Sequence, residues 1–173
     1  VVADVRGGQV LARSAQGVHI LEHLTWNPEN DMPLAGVVDA AFGPNGPVAL
    51  QRSGDDCLIH GLDATPTAVG ACTLDADLLV DDVSSRAWIA DRGTLSEVTA
   101  DGLVEVASAD LATFDRANRS LIVATGGDVT KLRLNGELQW RFNINADVVG
   151  IDDLGARDGA AVDSLALHYR RPL

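Results

Sequence analysis

One phrase recurs along this chain, and it constrains the fold more than any other feature. Leu78 to Gly93 lines up with Leu111 to Gly127: an apolar run, an aspartate, a polar turn, a second apolar run ending in Ala, and a Gly turn. Looser copies begin at Val1, Gly36 and Val148. The aspartates that lead the turns, Asp4, Asp39, Asp82, Asp115 and Asp152, lie 35, 43, 33 and 37 residues apart. A unit this short cannot bury its own apolar face, so units that repeat at such an interval must stack on their neighbours.

The runs themselves read as strands. They are short, rich in Val, Ile, Leu and Ala, and separated by Gly, Asp and Asn, while helical periodicity is hard to find. Thr94 to Thr99 and Leu103 to Ala107 follow the phrase in the third unit. Val129 to Leu134 and Glu137 to Phe142 follow it in the fourth, joined by Asn135-Gly136, a dipeptide suited to a two-residue hairpin. Four strands per unit at this period predict the blades of a β-propeller. The expected fold is therefore all-β, with four-stranded antiparallel blades at about 1–35, 36–77, 78–110, 111–147 and an incomplete 148–173. That gives a single propeller domain of four to five blades or part of a larger propeller, with a β-sandwich as the alternative.

The phrase resembles the blades of NHL and YVTN type propellers, and Gly136 to Phe142, with Trp140 inside it, resembles the Gly-x-x-x-Trp close of quinoprotein-type blades. In those families the repeated Asp, Gly and Trp are structural, so the resemblance implies fold and little function. It also implies that Trp140 packs between blades. In the fifth unit three strand candidates remain, Val148 to Asp152, Ala160 to Leu165 and Leu167 to Arg171. An open ring would leave exposed edges, which another chain or further residues would have to complete.

Charge and composition narrow the partners. With 173 residues, 46% apolar and 22% charged, the chain has the make-up of a globular protein. A net charge of −12 repels a polyanion, so no nucleic-acid partner is expected. Apolar runs stay far short of the roughly 20 residues of a spanning helix, so neither membrane insertion nor a signal peptide is expected. Of the 13 basic residues only Lys131 is lysine, a bias that reads as bacterial.

Few residues suggest chemistry. His19-Ile20-Leu21-Glu22-His23 spells an inverted zinc motif. The repeat, however, demands a strand there, and the two histidines would then sit roughly 13 Å apart. The leading aspartates are expected to accept hydrogen bonds from the amides of their own turns, the alternative being a carboxylate ring around a central channel that holds calcium. The stretch Asp152, Asp153, Asp158 and Asp163 offers the candidate oxygen ligands for calcium, although without the spacing of a known loop, and it reads by default as a solvated loop. If Asp56 to Gly61 and Thr67 to Leu74 pair about a turn at Ala64-Thr65, Cys57 falls opposite Cys72. The pair is then a disulfide, which would indicate a periplasmic or extracellular site, or two small core thiols, which leave a cytoplasmic location open.

No catalytic residue and no cofactor-binding residue is identified, since no nucleophile with its base, phosphate loop or dinucleotide fingerprint is present. The expected function is a non-catalytic module that binds a protein or glycan within a larger extracytoplasmic bacterial protein or assembly, and needs no cofactor. The alternative is a metal-dependent, lactonase-like propeller hydrolase using calcium or a similar ion.

Overall fold

The computed structural model describes residues 1–6, 8–22, 25–26, 31–62, 65–156 and 163–170. These form five antiparallel sheets and, among them, no helix long and apolar enough to cross a membrane. The first sheet holds β1 (Val2–Arg6), β2 (Gln9–Ser14), β3 (Gly17–Glu22), β4 (Thr25–Trp26) and β5 (Met32–Pro33). The second holds β6 (Val37–Gly43), β7 (Gly46–Ser53), β8 (Asp56–His60) and β9 (Thr67–Gly70), and the third β10 (Asp77–Val80), β11 (Ala87–Asp91), β12 (Thr94–Thr99) and β13 (Gly102–Ser108). The fourth holds β14 (Leu111–Asp115), β15 (Ser120–Thr125), β16 (Asp128–Arg133) and β17 (Leu138–Asn143), and the fifth β18 (Asp147–Ala156) and β19 (Asp163–Arg170).

In the second, third and fourth sheets each strand pairs with the next in sequence, the meander expected of a propeller blade. A sandwich would gather these strands into two sheets instead of five. Two compact units can be described separately, Val1–Ile89 with Glu97–Val104, and Ala90–Ser96 with Glu105–Leu173.

Alternation explains the packing within the first unit. On β7, Val48 and Leu50 join a core with Ile59, Leu78, Val80 and Ile89, while Ala49 between them joins a second core with Leu11, Val18 and Phe42. The second sheet is thus apolar on both faces, which is why Val48-Ala49-Leu50 reads as an unbroken run. Burying a side chain such as Leu50 contributes about 1.5–3 kcal/mol. In the second unit Ile122, Ala124, Val129 and Val148 form the core, with Leu111, Ile151 and Leu167 packed against them.

Three local expectations are corrected. The turn at Asn135-Gly136 is a three-residue loop: Gly136 N donates to Arg133 O at 2.9 Å, Arg133 N donates to Glu137 O at 2.8 Å, and of the dipeptide only Gly136 has positive φ (+85°). The segment 160–171, expected to hold two strands, carries one described strand, β19. Its sequence from Asp163 to Arg170 contains no Gly, Pro or Asn to interrupt it. Finally, Cys57 pairs with Gly70 across a bulge and not with Cys72, because β9 ends at Gly70. The two cysteines are nonetheless joined as a disulfide, with Cα atoms 5.8 Å apart, inside the larger core of the first unit.

Candidate functional site

The recurrent aspartates do not share one purpose. Asp115 is fully buried, and its carboxylate accepts the Asn118 amide at 3.0 Å, Asn118 Nδ2 at 3.1 Å, Ser120 Oγ at 3.1 Å and Lys131 Nζ at 2.5 Å. Burial works to raise this carboxyl, but the bonds from Lys131, Asn118 and Ser120 outweigh it and hold the group below the usual carboxylate range. In the third unit the same turn-capping role falls to Asp81, which accepts Val83 N at 3.1 Å and Ser84 Oγ. The expected Asp82 instead pairs with Arg6 at 3.2 Å.

Asp4 and Asp39 depart from the expectation more sharply. Each follows a bulge in the first strand of its sheet, and each reaches the next sheet: Asp4 Oδ2 accepts Phe42 N at 2.9 Å, and Asp39 Oδ2 accepts Leu78 N at 2.8 Å. These carboxylates join neighbouring sheets rather than capping their own turns. Burial pushes the Asp39 carboxyl up to about 6 against the pull of the Leu78 and Ala40 amides. Asp77 is also raised by burial, with Arg13 opposing and Asp75 assisting.

The other candidates are dispersed. Asp152, Asp153 and Asp163 lie on strands instead of a solvated loop, with Asp152 opposite Ala166, Asp153 opposite Leu165 and Asp163 opposite Ala156. Asp158 lies outside the described residues. Among the described residues no three His, Cys, Asp or Glu side chains gather as a metal site. His19 stands on β3, with Nδ1 2.8 Å from Asp31 Oδ2 and Nε2 2.7 Å from Ser14 Oγ, so both ring nitrogens are engaged. His23, its partner in the zinc motif, lies outside the described residues.

Two concavities lie among the described residues. One, about 560 Å³, lies in the first unit between Arg6, Ile20 and the Gly43 to Pro47 turn. The other, about 240 Å³, lies in the second unit, with Val123, Thr125, Thr130, Asp128 and Arg141 around it. Asp128 there is held low by hydrogen bonds from Arg141 and Asn143.

The most distinctive surface is on β17. Trp140 and Phe142 are 38% and 41% exposed, and their rings stack with centroids 5.3 Å apart. The packing expected of Trp140 is therefore incomplete. Register explains which face they occupy: Phe142 stands opposite Val129, and Trp140 opposite Lys131, which in turn faces Ile122. Directly opposed residues share a face, so the two rings extend the apolar face formed by Ile122, Ala124 and Val129. Sequence reasoning identified these residues as apolar but could not find their exposure, which depends on what lies over them.

No protein-family profile matches the sequence, and no curated protein matches it. Solved structures do. BBS1N in complex with ARL6DN is similar with a TM-score of 0.60 at 13% identity over 92% of this chain and 57% of that one. PorZ, a bacterial surface component of the type-IX secretion system of Porphyromonas gingivalis, is similar with a TM-score of 0.57 at 15% identity over 94% of this chain and 22% of that one. A streptogramin B lyase is similar with a TM-score of 0.55 at 14% identity over 87% of this chain and 57% of that one. The chain thus spans little more than half the length of the first of these. Such likeness defines the fold: this is a β-propeller repeat protein built from four-stranded antiparallel blades. The fold serves binding proteins and enzymes alike.

Proposed function

We infer that the chain works as a non-catalytic propeller module that binds another protein or a glycan, as one part of a larger extracytoplasmic bacterial protein or assembly. The observation that carries this reading is the stacked, exposed Trp140 and Phe142 on β17. Aromatic side chains left on a surface mark sites of association, where they supply large area at low entropic cost. Similar propellers support a protein partner, since BBS1N is held in a complex with ARL6DN. The disulfide and the likeness to a bacterial surface component support a place outside the cytoplasm.

The test immobilises the purified chain, challenges it with an extracytoplasmic fraction and with a glycan array, and titrates each captured ligand calorimetrically against the chain in solution. A ligand that binds in EDTA as well as in calcium supports the reading. Hydrolysis of a lactone that EDTA abolishes would replace it with the metal-dependent hydrolase.

A further inference from the structure

The two hydrogen bonds of the His19 ring bring three residue types together on the first sheet. β2 and β3 are joined by the turn at Ala15-Gln16, and their register sets Ser14 opposite Gly17 and Ala12 opposite His19. Ser14 and His19 are therefore diagonal neighbours on one face. On the other side of β3, β5 pairs Gly17 with Pro33 and Val18 with Met32, so the same register carried one step further sets Asp31 beside His19. A Cβ at position 17 would lie 2.2 Å from Met32 O, so glycine is what admits β5, and with it Asp31. The imidazole then has a hydroxyl on one side and a carboxylate on the other: Nε2 lies 2.7 Å from Ser14 Oγ, and Nδ1 2.8 Å from Asp31 Oδ2. A carboxylate only accepts, so Nδ1 carries the proton and Nε2 is left to accept from the Ser14 hydroxyl. The Gln16 amide donates to the same Oγ at 3.1 Å, which aims the hydroxyl proton at the ring and favours negative charge on the oxygen. Ser14 is exposed, whereas the side chains of His19 and Asp31 are 22% and 15% exposed. The spacings of 5 and 12 residues from His19 do not mark a nucleophile in the sequence; the two strands that flank β3 unite the three.

We propose that Ser14, His19 and Asp31 are a nucleophilic centre that takes the acyl group from a small activated ester. Nucleophile, base and an acid that orients the base stand in the arrangement that acyl transfer uses. Ser14 Oγ bonds to the ester carbonyl carbon as its proton passes to His19 Nε2 and the π pair of the carbonyl moves onto its oxygen. The pair returns, the bond to the alcohol oxygen breaks, and that oxygen takes the proton from Nε2, leaving the acyl group on Ser14. Water releases the acid by the same steps, giving a proton to Nε2 that returns to Ser14 Oγ. Asp31 touches no reacting atom and is a positioning residue, which holds Nε2 towards Ser14 and stabilises the imidazolium. Ser14, Ala15 and Gln16 are all exposed, so water competes for the charge that develops on the carbonyl oxygen. The substrate class is therefore an ester whose alcohol leaves readily, such as an aryl ester. This adds to the binding module a reaction that the non-catalytic reading does not contain. Its residues lie in the first unit and Trp140 and Phe142 in the second, so either inference can fail without the other.

The full chain is treated with an alkyl fluorophosphonate, which a nucleophilic serine captures with loss of fluoride, and the adduct is located by mass spectrometry. Release of p-nitrophenolate from p-nitrophenyl acetate is followed alongside. The expected result is one adduct, on Ser14, and ester cleavage above the buffer rate that is absent in Ser14→Ala, a change at an exposed turn that leaves the melting temperature in place. His19→Gln should slow both reactions at least about a hundredfold. Asp31→Asn should slow them at least about tenfold, with Asp31→Glu recovering part of the loss. Each variant is assayed well below its own melting temperature, so that unfolding does not enter the rates. A trio that only braces β2, β3 and the approach to β5 would lower the melting temperatures of the His19 and Asp31 variants and give no adduct in the wild type. No adduct on Ser14, an adduct formed as fast in His19→Gln, or ester cleavage that survives in Ser14→Ala overturns the proposal. Any of these leaves the binding reading standing, because capture of a partner is measured without the ester.

Discussion

Lys131, the one lysine in the chain, gives the sharpest test of how the fourth sheet is held together. Its ammonium lies 2.5 Å from Asp115 Oδ2, with Asp115 fully buried and Lys131 nearly so. Replacing Lys131 by Met keeps the length and apolar stem of the side chain but leaves a buried carboxylate without its counter-charge, a change that costs about 3–5 kcal/mol when nothing compensates. Asn118 and Ser120 still donate to Asp115, which places the expected loss at the lower end, about 3 kcal/mol. The pH dependence separates this cause from simple loss of packing. In the wild type the Asp115 carboxyl is depressed, so its contribution is present above the unfolded value of about 3.9 and is lost as pH falls through the lower folded value. In the variant, burial acts without the lysine to oppose it and the carboxyl rises. The variant then takes up a proton on folding and recovers stability as pH falls. The difference between the two proteins, measured by urea denaturation, should shrink between pH 7 and pH 4. A difference below about 1 kcal/mol at pH 7, or one that does not change with pH, would refute the argument.

Asp39 should behave in the opposite sense to wild-type Asp115. Its carboxyl is raised to about 6, so the folded state binds a proton that the unfolded state releases. Stability should therefore rise as pH falls from 7 towards 4, by on the order of 2 kcal/mol. Asp39→Asn should abolish that part of the pH profile, and a profile unchanged in the variant would show that other groups cause it. For the disulfide, intact mass before and after reduction should differ by two hydrogens, and reduction should cost about 3 kcal/mol for a loop of this size. Free thiols in the oxidised protein would remove the support for an extracytoplasmic site. Trp88 is fully buried and its replacement by Ala should cost about 3–5 kcal/mol. Trp140→Ala, at a half-covered site, should cost roughly 1–2 kcal/mol, so equal losses would contradict the exposure of β17.

What could be read from the sequence was local. The strands of the third and fourth sheets follow from β-branched and apolar runs ended by turn residues, and the capped turn at Asp115 from an aspartate standing three residues before Asn118. What could not be read depends on distant residues. The pairing of Cys57 was misplaced because the bulge beside it and the end of β9 at Gly70 leave no mark in the intervening sequence. The aspartates at 4 and 39 look identical to turn-capping ones, and only the approach of the next sheet gives their carboxylates a different donor. Trp140 was recognisably apolar, but an apolar residue on an outer strand is buried only if the neighbouring sheet is as wide as its own.

That last point connects the polar and apolar features of the repeat. The first strands of the first and second sheets each have a bulge followed by an aspartate whose carboxylate accepts an amide of the following sheet. In these places the contact between sheets is fixed near the inner strands by a hydrogen bond, which apolar packing then extends outward. The fifth sheet keeps the bulge, between Val148 and Gly150, but has glycine where the others have aspartate. Its first strand therefore offers no carboxylate to an amide at that position, and among the described residues the rings of β17 are only partly covered.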